Sequence, residues 1–250
     1  MENIDQDKIS EVESQYHQYI DAIDEMISTG RIVIDHISSM LNNWLDDKTI
    51  MPVMQQKIEN YVKSIEIIKD NGTLDNIYKP VYKQSIVLLV SGFEMSMTNI
   101  FSLLVNEYPE IICWDNQSDK KLGIDINLIR YYSNIGDIIS RSSGEINFQD
   151  LQSTKRFLEK WLDINIDNDI NRIQDNIILA EAERNIIIHN GAVVDANFLR
   201  QVRNTQYCKN YSVRDSLNID KTNYNQAKEA FNVLFISIIN AIKDQIKPKI

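Results

Sequence analysis

Apolar residues recur every three or four positions along most of the chain, and no stretch alternates at period two over a strand's length. From about 8 to 47 the repeat runs through Tyr16, Tyr19, Ile20, Ile23, Met26 and Ile27. Gly30 breaks or bends it, and Ile34, Ile37, Met40, Leu41, Trp44 and Leu45 resume it. That spacing is the helical one. Pro52 suits the first turn of a second helix, which runs to about Lys69 and is ended by Asp70-Asn71-Gly72. The most apolar segment follows, from Pro80 to Tyr108, with Ile86, Leu88, Leu89, Val90, Phe93, Met97, Ile100, Phe101 and Leu104. Apolar nearly all round, it belongs at the centre of a bundle.

Beyond Pro109 the chain turns polar through Trp114 to Gly123. A helix is predicted over about 125–140, a loop over 141–144, a short helix over 148–162 and an acidic turn over 163–169. A further helix runs from about Ile170 to Asn190, a short one covers Phe198 to Val202, and Tyr211 to Ile219 is a loop. The last helix, from Asn223 to about Ile246, carries Phe231, Leu234, Phe235, Ile238, Ile239 and Ile242 on one stripe, and Pro248 ends it. The pattern predicts an all-α fold, an antiparallel helical bundle with an N-terminal helical hairpin. Residues 71–75 are the linker, dividing 1–72 from a bundle over 73–250. The first unit reads as a hairpin packed on the bundle, a dimerisation arm or a coiled coil, and its heptads do not run for three full repeats.

Composition narrows the chemistry. Seven Gly and four Pro disfavour a fold rich in tight β-turns. Cys113 and Cys208 lie far apart, no Cys-x-x-Cys or Cys/His cluster occurs, and three His in all make a metal site implausible. There is no Walker loop, no G-x-G-x-x-G, no G-x-S-x-G and no H-E-x-x-H, so neither a cofactor nor a metal is expected. The acidic start MENIDQDKIS is not a signal peptide, and no apolar run approaches the roughly 18 residues needed to span a bilayer. The expected location is cytoplasmic. The formal net charge is −10, which argues against a general nucleic-acid binder. It is uneven: residues 1–152 carry 12 basic and 24 acidic side chains, residues 153–250 carry 14 and 12.

The less acidic part contains the stretch that organises the chain, Glu181 to Leu199, EAERNIIIHNGAVVDANFL. Arg184, Asn185, His189 and Asn190 bracket three isoleucines. Helix geometry places Asn185 and His189 on one face. Arg184 starts about 140° from His189, and its long stem can carry the guanidinium back beside the ring. The isoleucines would point to the core. Asn190-Gly191 stops the helix with Gly in the left-handed position. His189 then sits in the last turn, where the helix dipole favours imidazolium and Arg184 opposes it, an arrangement suited to proton transfer near neutral pH.

The run Arg184-Asn-x-x-x-His189-Asn-Gly-x-Val-Val-Asp195 resembles the signature of the HEPN superfamily, all-α domains with an R-x(4 to 6)-H motif at the end of a late helix. Ser85 to Val105 is similar to an early bundle helix of such proteins, with Glu94 at their acidic position. The likeness covers roughly Lys79 to the C-terminus. Bare spacing is weak evidence, since nine Arg and three His give about 0.3 chance matches. Arg31 to His36 is such a match. It lacks the polar residue after Arg and the Gly stop, and reads as ordinary helix.

The resemblance implies a metal-independent endoribonuclease, a toxin or anti-phage effector cutting tRNA or other RNA to 2′,3′-cyclic phosphate ends. His189 would be general base or acid, Arg184 the phosphate clamp and Asn185 its support. Asn190 would assist. Glu94 is either a residue of the thin polar face or a carboxylate that orients Arg184 or His189. Arg200 and Arg203 are phosphate contacts or a solvated charged face. HEPN proteins are typically homodimers with two motifs facing across a two-fold axis, so a homodimer is expected, with an antitoxin or defence-system protein as a further partner. The alternatives are a HEPN-like dimeric binding module without catalysis and a regulatory subunit of a separate nucleotidyltransferase.

Overall fold

The computed structural model describes residues 6–47, 49–70, 73–108, 134–142 and 147–246. Among them the regular elements are helices: α1 (Gln6–Leu45), α2 (Pro52–Asp70), α3 (Thr73–Glu107), α4 (Ile135–Ser142), α5 (Leu151–Leu162), α6 (Asp167–Ile170), α7 (Gln174–Asn190), α8 (Ala196–Val202) and α9 (Lys221–Ile246). The one β-type contact among these residues is an isolated antiparallel bridge between Val193 and Ser216. The fold is all-α, as the periodicity predicts. The predicted linker residues Asn71 and Gly72, the connection 109–123, most of the helix expected over 125–140, Cys113, Pro248 and residues 143–144 of the loop expected over 141–144 fall outside the described residues, whereas Arg141 and Ser142 are helical and not loop.

α3 is the element the others are built on. Tyr78, Tyr82, Ile86, Leu89, Phe93, Met97, Ile100 and Leu104 recur at steps of three and four and are all buried. Val90, Phe101 and Val105 widen that stripe until it leaves only a thin polar strip. α1, α4, α7 and α9 pack around it. α3 starts at Thr73, earlier than Pro80 suggested. Pro80 is exposed within its early turns, where the lost hydrogen bond faces solvent.

By length and composition the helix over Asn76–Glu107 could cross a membrane, since an 18-residue window within it reaches a mean hydropathy of 1.5. The expectation that no run approaches spanning length therefore does not hold for α3. Its apolar side chains are turned instead toward α1, α7 and α9, because it has a helix on almost every side.

α1 runs antiparallel to both α3 and α9. Ile9, Val12, Tyr16, Ile20, Ile23 and Ile27 form its buried stripe. Tyr16 stacks on Phe235 with centroids 4.0 Å apart, and Phe93 meets Phe231 edge-on at 5.2 Å. Such contacts add about 0.5–1.5 kcal/mol each beyond burial. Along the α1–α9 seam Lys243 pairs with Glu13 at 2.7 Å, Lys228 with Asp24 at 2.8 Å, and Tyr224 donates to Asp24 at 2.9 Å.

α1 takes part in two hydrophobic clusters. Its first part lies in the main core, whereas Leu41, Ile58 and Val62 form a small separate cluster between its far end and α2. Met26, Val33, Ile37, Met40 and Trp44 form an exposed apolar stripe along α1, beside the face that carries Leu41. The accidental motif is split. Arg31 lies 5.2 Å over the Tyr78 ring, while His36 is exposed.

Where α1 crosses α3, a Cβ on Gly92 would come within 2.3 Å of the Tyr19 ring. A ring cannot yield as a flexible tip can. Gly92→Ala is therefore expected to lower stability by about 1–3 kcal/mol, read as a lower urea midpoint at unchanged slope. An unshifted midpoint would show that the two helices are not held this closely.

Candidate functional site

α7 carries the motif and ends as the sequence predicts. Gly191 adopts φ 60°, ψ 30°, the left-handed conformation that glycine tolerates at a helix end. Ala192 follows with φ 63°, and its N–H bonds back to the carbonyl of Ile186 at 2.9 Å. The exit is then tied down: the N–H of Leu217 donates to the Ala192 carbonyl at 2.8 Å, and that of Arg214 to the Val194 carbonyl at 2.8 Å. Asp195 caps α8 by accepting from the N–H of Phe198 at 2.8 Å. α7 and α8 thereby form a corner with a cleft between them.

That open cleft, of about 340 Å³, is lined by Arg184, Asn185, His189, Asn190 and Arg200 among others. Five residues singled out from the sequence thus share one opening. Arg203 is not among the lining residues: α8 ends at Val202, and Arg203, at its C-cap, is exposed. The three isoleucines do not all face the core. Ile186 is buried, Ile187 half-buried, and Ile188 is 49% exposed. Three consecutive helical positions sweep about 200°, more than one core-facing stripe covers.

Arg184 is the most constrained of the set. Its side chain is 14% exposed, and its Nη2 donates to Glu94 Oε2 at 3.3 Å across the α3–α7 seam. Its Nη1 donates to Asn185 Oδ1 at 3.1 Å. Its Nε is buried with no hydrogen-bond partner. Of the two roles open to Glu94, the structure displays the orienting one toward Arg184. Asn190 Nδ2 donates to the Val193 carbonyl at 2.7 Å, which stiffens the turn. The His189 side chain is exposed at the cleft.

Two further acids lie on α7 and were not picked out as site residues from the sequence. Glu181 is buried, and its pKa is held well above the usual carboxylate range, first by burial and then by the charge of Asp150. It accepts a hydrogen bond from the Leu151 N–H, so it anchors the start of α5 beside Gln149, another cleft residue. Glu183 is 2% exposed, and burial pushes its pKa up to about 8. Its Oε1 has no hydrogen-bond partner, and the side chain lines a small pocket of about 10 Å³ with Asn176, Tyr207 and Gln226. The only sequence signal for either was an acid pair, Glu-Ala-Glu, set inside a helix otherwise apolar on several faces. Among the described residues no three His, Cys, Asp or Glu side chains are grouped as a metal site requires.

Set against known protein families, curated proteins and solved structures, the chain matches none.

The buried acid gives a pH dependence with a definite sign. Glu183 keeps its proton in the folded protein up to about pH 8, while in the unfolded chain it ionises near 4.5. The unfolded state therefore releases this proton first, and stability falls as pH rises from about 4.5 to 8. At about 1.4 kcal/mol per pKa unit the loss is on the order of several kcal/mol. Glu183→Gln is expected to flatten urea stability measured across that range and to stabilise the protein most at pH 8. An identical slope in the variant would show that Glu183 is not the group responsible.

Proposed function

We propose that this chain is a metal-independent endoribonuclease of the HEPN type, acting as a homodimer in the cytoplasm, where it serves as a toxin or defence effector. The observation that carries the reading is the shared opening of Arg184, Asn185 and His189 onto one cleft, with Arg184 braced from behind by Glu94. RNA brings its own nucleophile, the 2′-hydroxyl beside the scissile phosphate. His189 takes the hydroxyl proton as the oxygen attacks phosphorus. The P–O5′ bond breaks, the 5′-oxygen leaves with a proton, and a 2′,3′-cyclic phosphate remains. Arg184 stabilises the extra negative charge on the phosphoryl oxygens in the transition state. One imidazole does not reach both sides of the phosphorus, so a second copy of the motif across a two-fold axis supplies the other proton.

A second reading is a HEPN-like dimeric module that binds RNA or a protein partner without cutting. The observation in its favour is that the Arg184 guanidinium already holds Glu94 and Asn185. The two readings separate on RNA incubated with purified protein in EDTA. The nuclease reading predicts cleavage with cyclic phosphate ends, reduced about 10²–10⁴-fold in His189→Ala and similarly in Arg184→Ala. It also predicts slowed growth on expression, relieved by either substitution. Intact RNA with the wild-type protein, or cleavage that survives His189→Ala, would overturn it.

A further inference from the structure

The cleft has two unlike walls. On α7, Asn185 and Asn190 are engaged within the fold, one accepting from Arg184 and the other donating to Val193. Facing them, Asn197, Arg200 and Gln201 stand at spacings of three and four on α8, and so share one face. Gln149 joins them from the turn before α5. None of these four side chains hydrogen-bonds to another described residue. One wall thus combines a guanidinium with an exposed imidazole, and the other offers three uncommitted amides and one uncommitted guanidinium.

The three amides of the second wall suit a nucleobase edge better than a phosphate. A phosphate presents acceptors only, so an amide oxygen beside it is a cost. An amide offers a donor and an acceptor side by side, the pattern of a base edge, and an arginine fork matches the two acceptors of a guanine edge. Base edges specify while phosphate contacts position. A cleft of about 340 Å³ is the size of one nucleotide unit. A recess of that size takes in the edge of an unpaired base splayed out of a helix.

We infer that the α8 wall, through Asn197, Arg200, Gln201 and Gln149, reads one unpaired nucleobase next to the phosphate held by Arg184, and so selects RNA by base identity at one position. This rests on the ribonuclease reading for the placement of the phosphate alone.

The test uses the full chain and a pool of short single-stranded RNAs with randomised bases. They carry 2′-O-methyl groups, so they cannot be cut. The bound fraction is sequenced, and affinities of selected members are measured by fluorescence anisotropy. The expected result is a base preference concentrated at one position and falling about tenfold or more in Asn197→Ala/Gln201→Ala. Both side chains are exposed, and Gln149→Ala, outside α8, provides a second variant. Arg184→Ala should instead weaken all sequences alike. No preference in the wild-type protein, an undiminished preference in both variants, or equal binding of the same sequences as duplexes would overturn the inference. Preference without cleavage of unmethylated RNA would end the ribonuclease reading and keep this one. Cleavage without preference would do the reverse.

Discussion

The enclosure of α3 is the constraint from which the remaining arrangement follows. A helix apolar over most of its circumference must be covered on most sides, and α1, α4, α7 and α9 are what cover it. Only a thin strip is left polar, and Glu94 lies in it. A carboxylate there, about a quarter exposed, meets the one helix that brings a guanidinium to the same seam. The buried face of α7, with Ile177, Ala180 and Ile186, sets its rotation about its own axis, and the pairing of Glu94 with Arg184 is consistent with it. That rotation turns His189 outward at the cleft and Ile186 inward.

α7 itself is an unusual core element. Glu181, Glu183 and Arg184 follow closely on one another, and none of them is more than partly accessible. Taking isolated charges out of water is costly, and the three resolve that cost differently. Arg184 stays charged and is paired. Glu181 and Glu183 favour the protonated state. On α7 the acids are thus muted and the cation paired. This agrees with the shift of formal charge between the two parts of the chain, although the protein as a whole carries −10.

Helix periodicity made most of this fold legible, because buried positions at steps of three and four are a property of local sequence. The ends of α3 and α7 show where that reading stops. Pro80 looks like a helix start, but it stands exposed at the eighth position of a helix that begins at Thr73. The short turn of helix over Asp167–Ile170 hides within an acidic stretch that reads as loop. At the cleft, Arg184, Asn185, His189 and the Gly191 stop could be placed from spacing alone. The second wall could not. Asn197, Gln201 and Gln149 become neighbours of the motif only through the corner tied by Ala192, Val194 and Asp195. Burial of Glu181 and Glu183 is likewise set by what packs on α7 from elsewhere in the chain, and nothing in their local pattern announces it.

The two cores reached by α1 give that helix a divided character. Its first part is locked among α3 and α9 by large buried side chains, whereas its far end and α2 share only Leu41, Ile58 and Val62 with a few partly buried neighbours. A continuous helix so supported does not open as one unit. Past its first turn, the amide hydrogens of α1 before Ile27 are therefore expected to exchange more slowly than those beyond it. A single rod is then anchored at one end and yielding at the other.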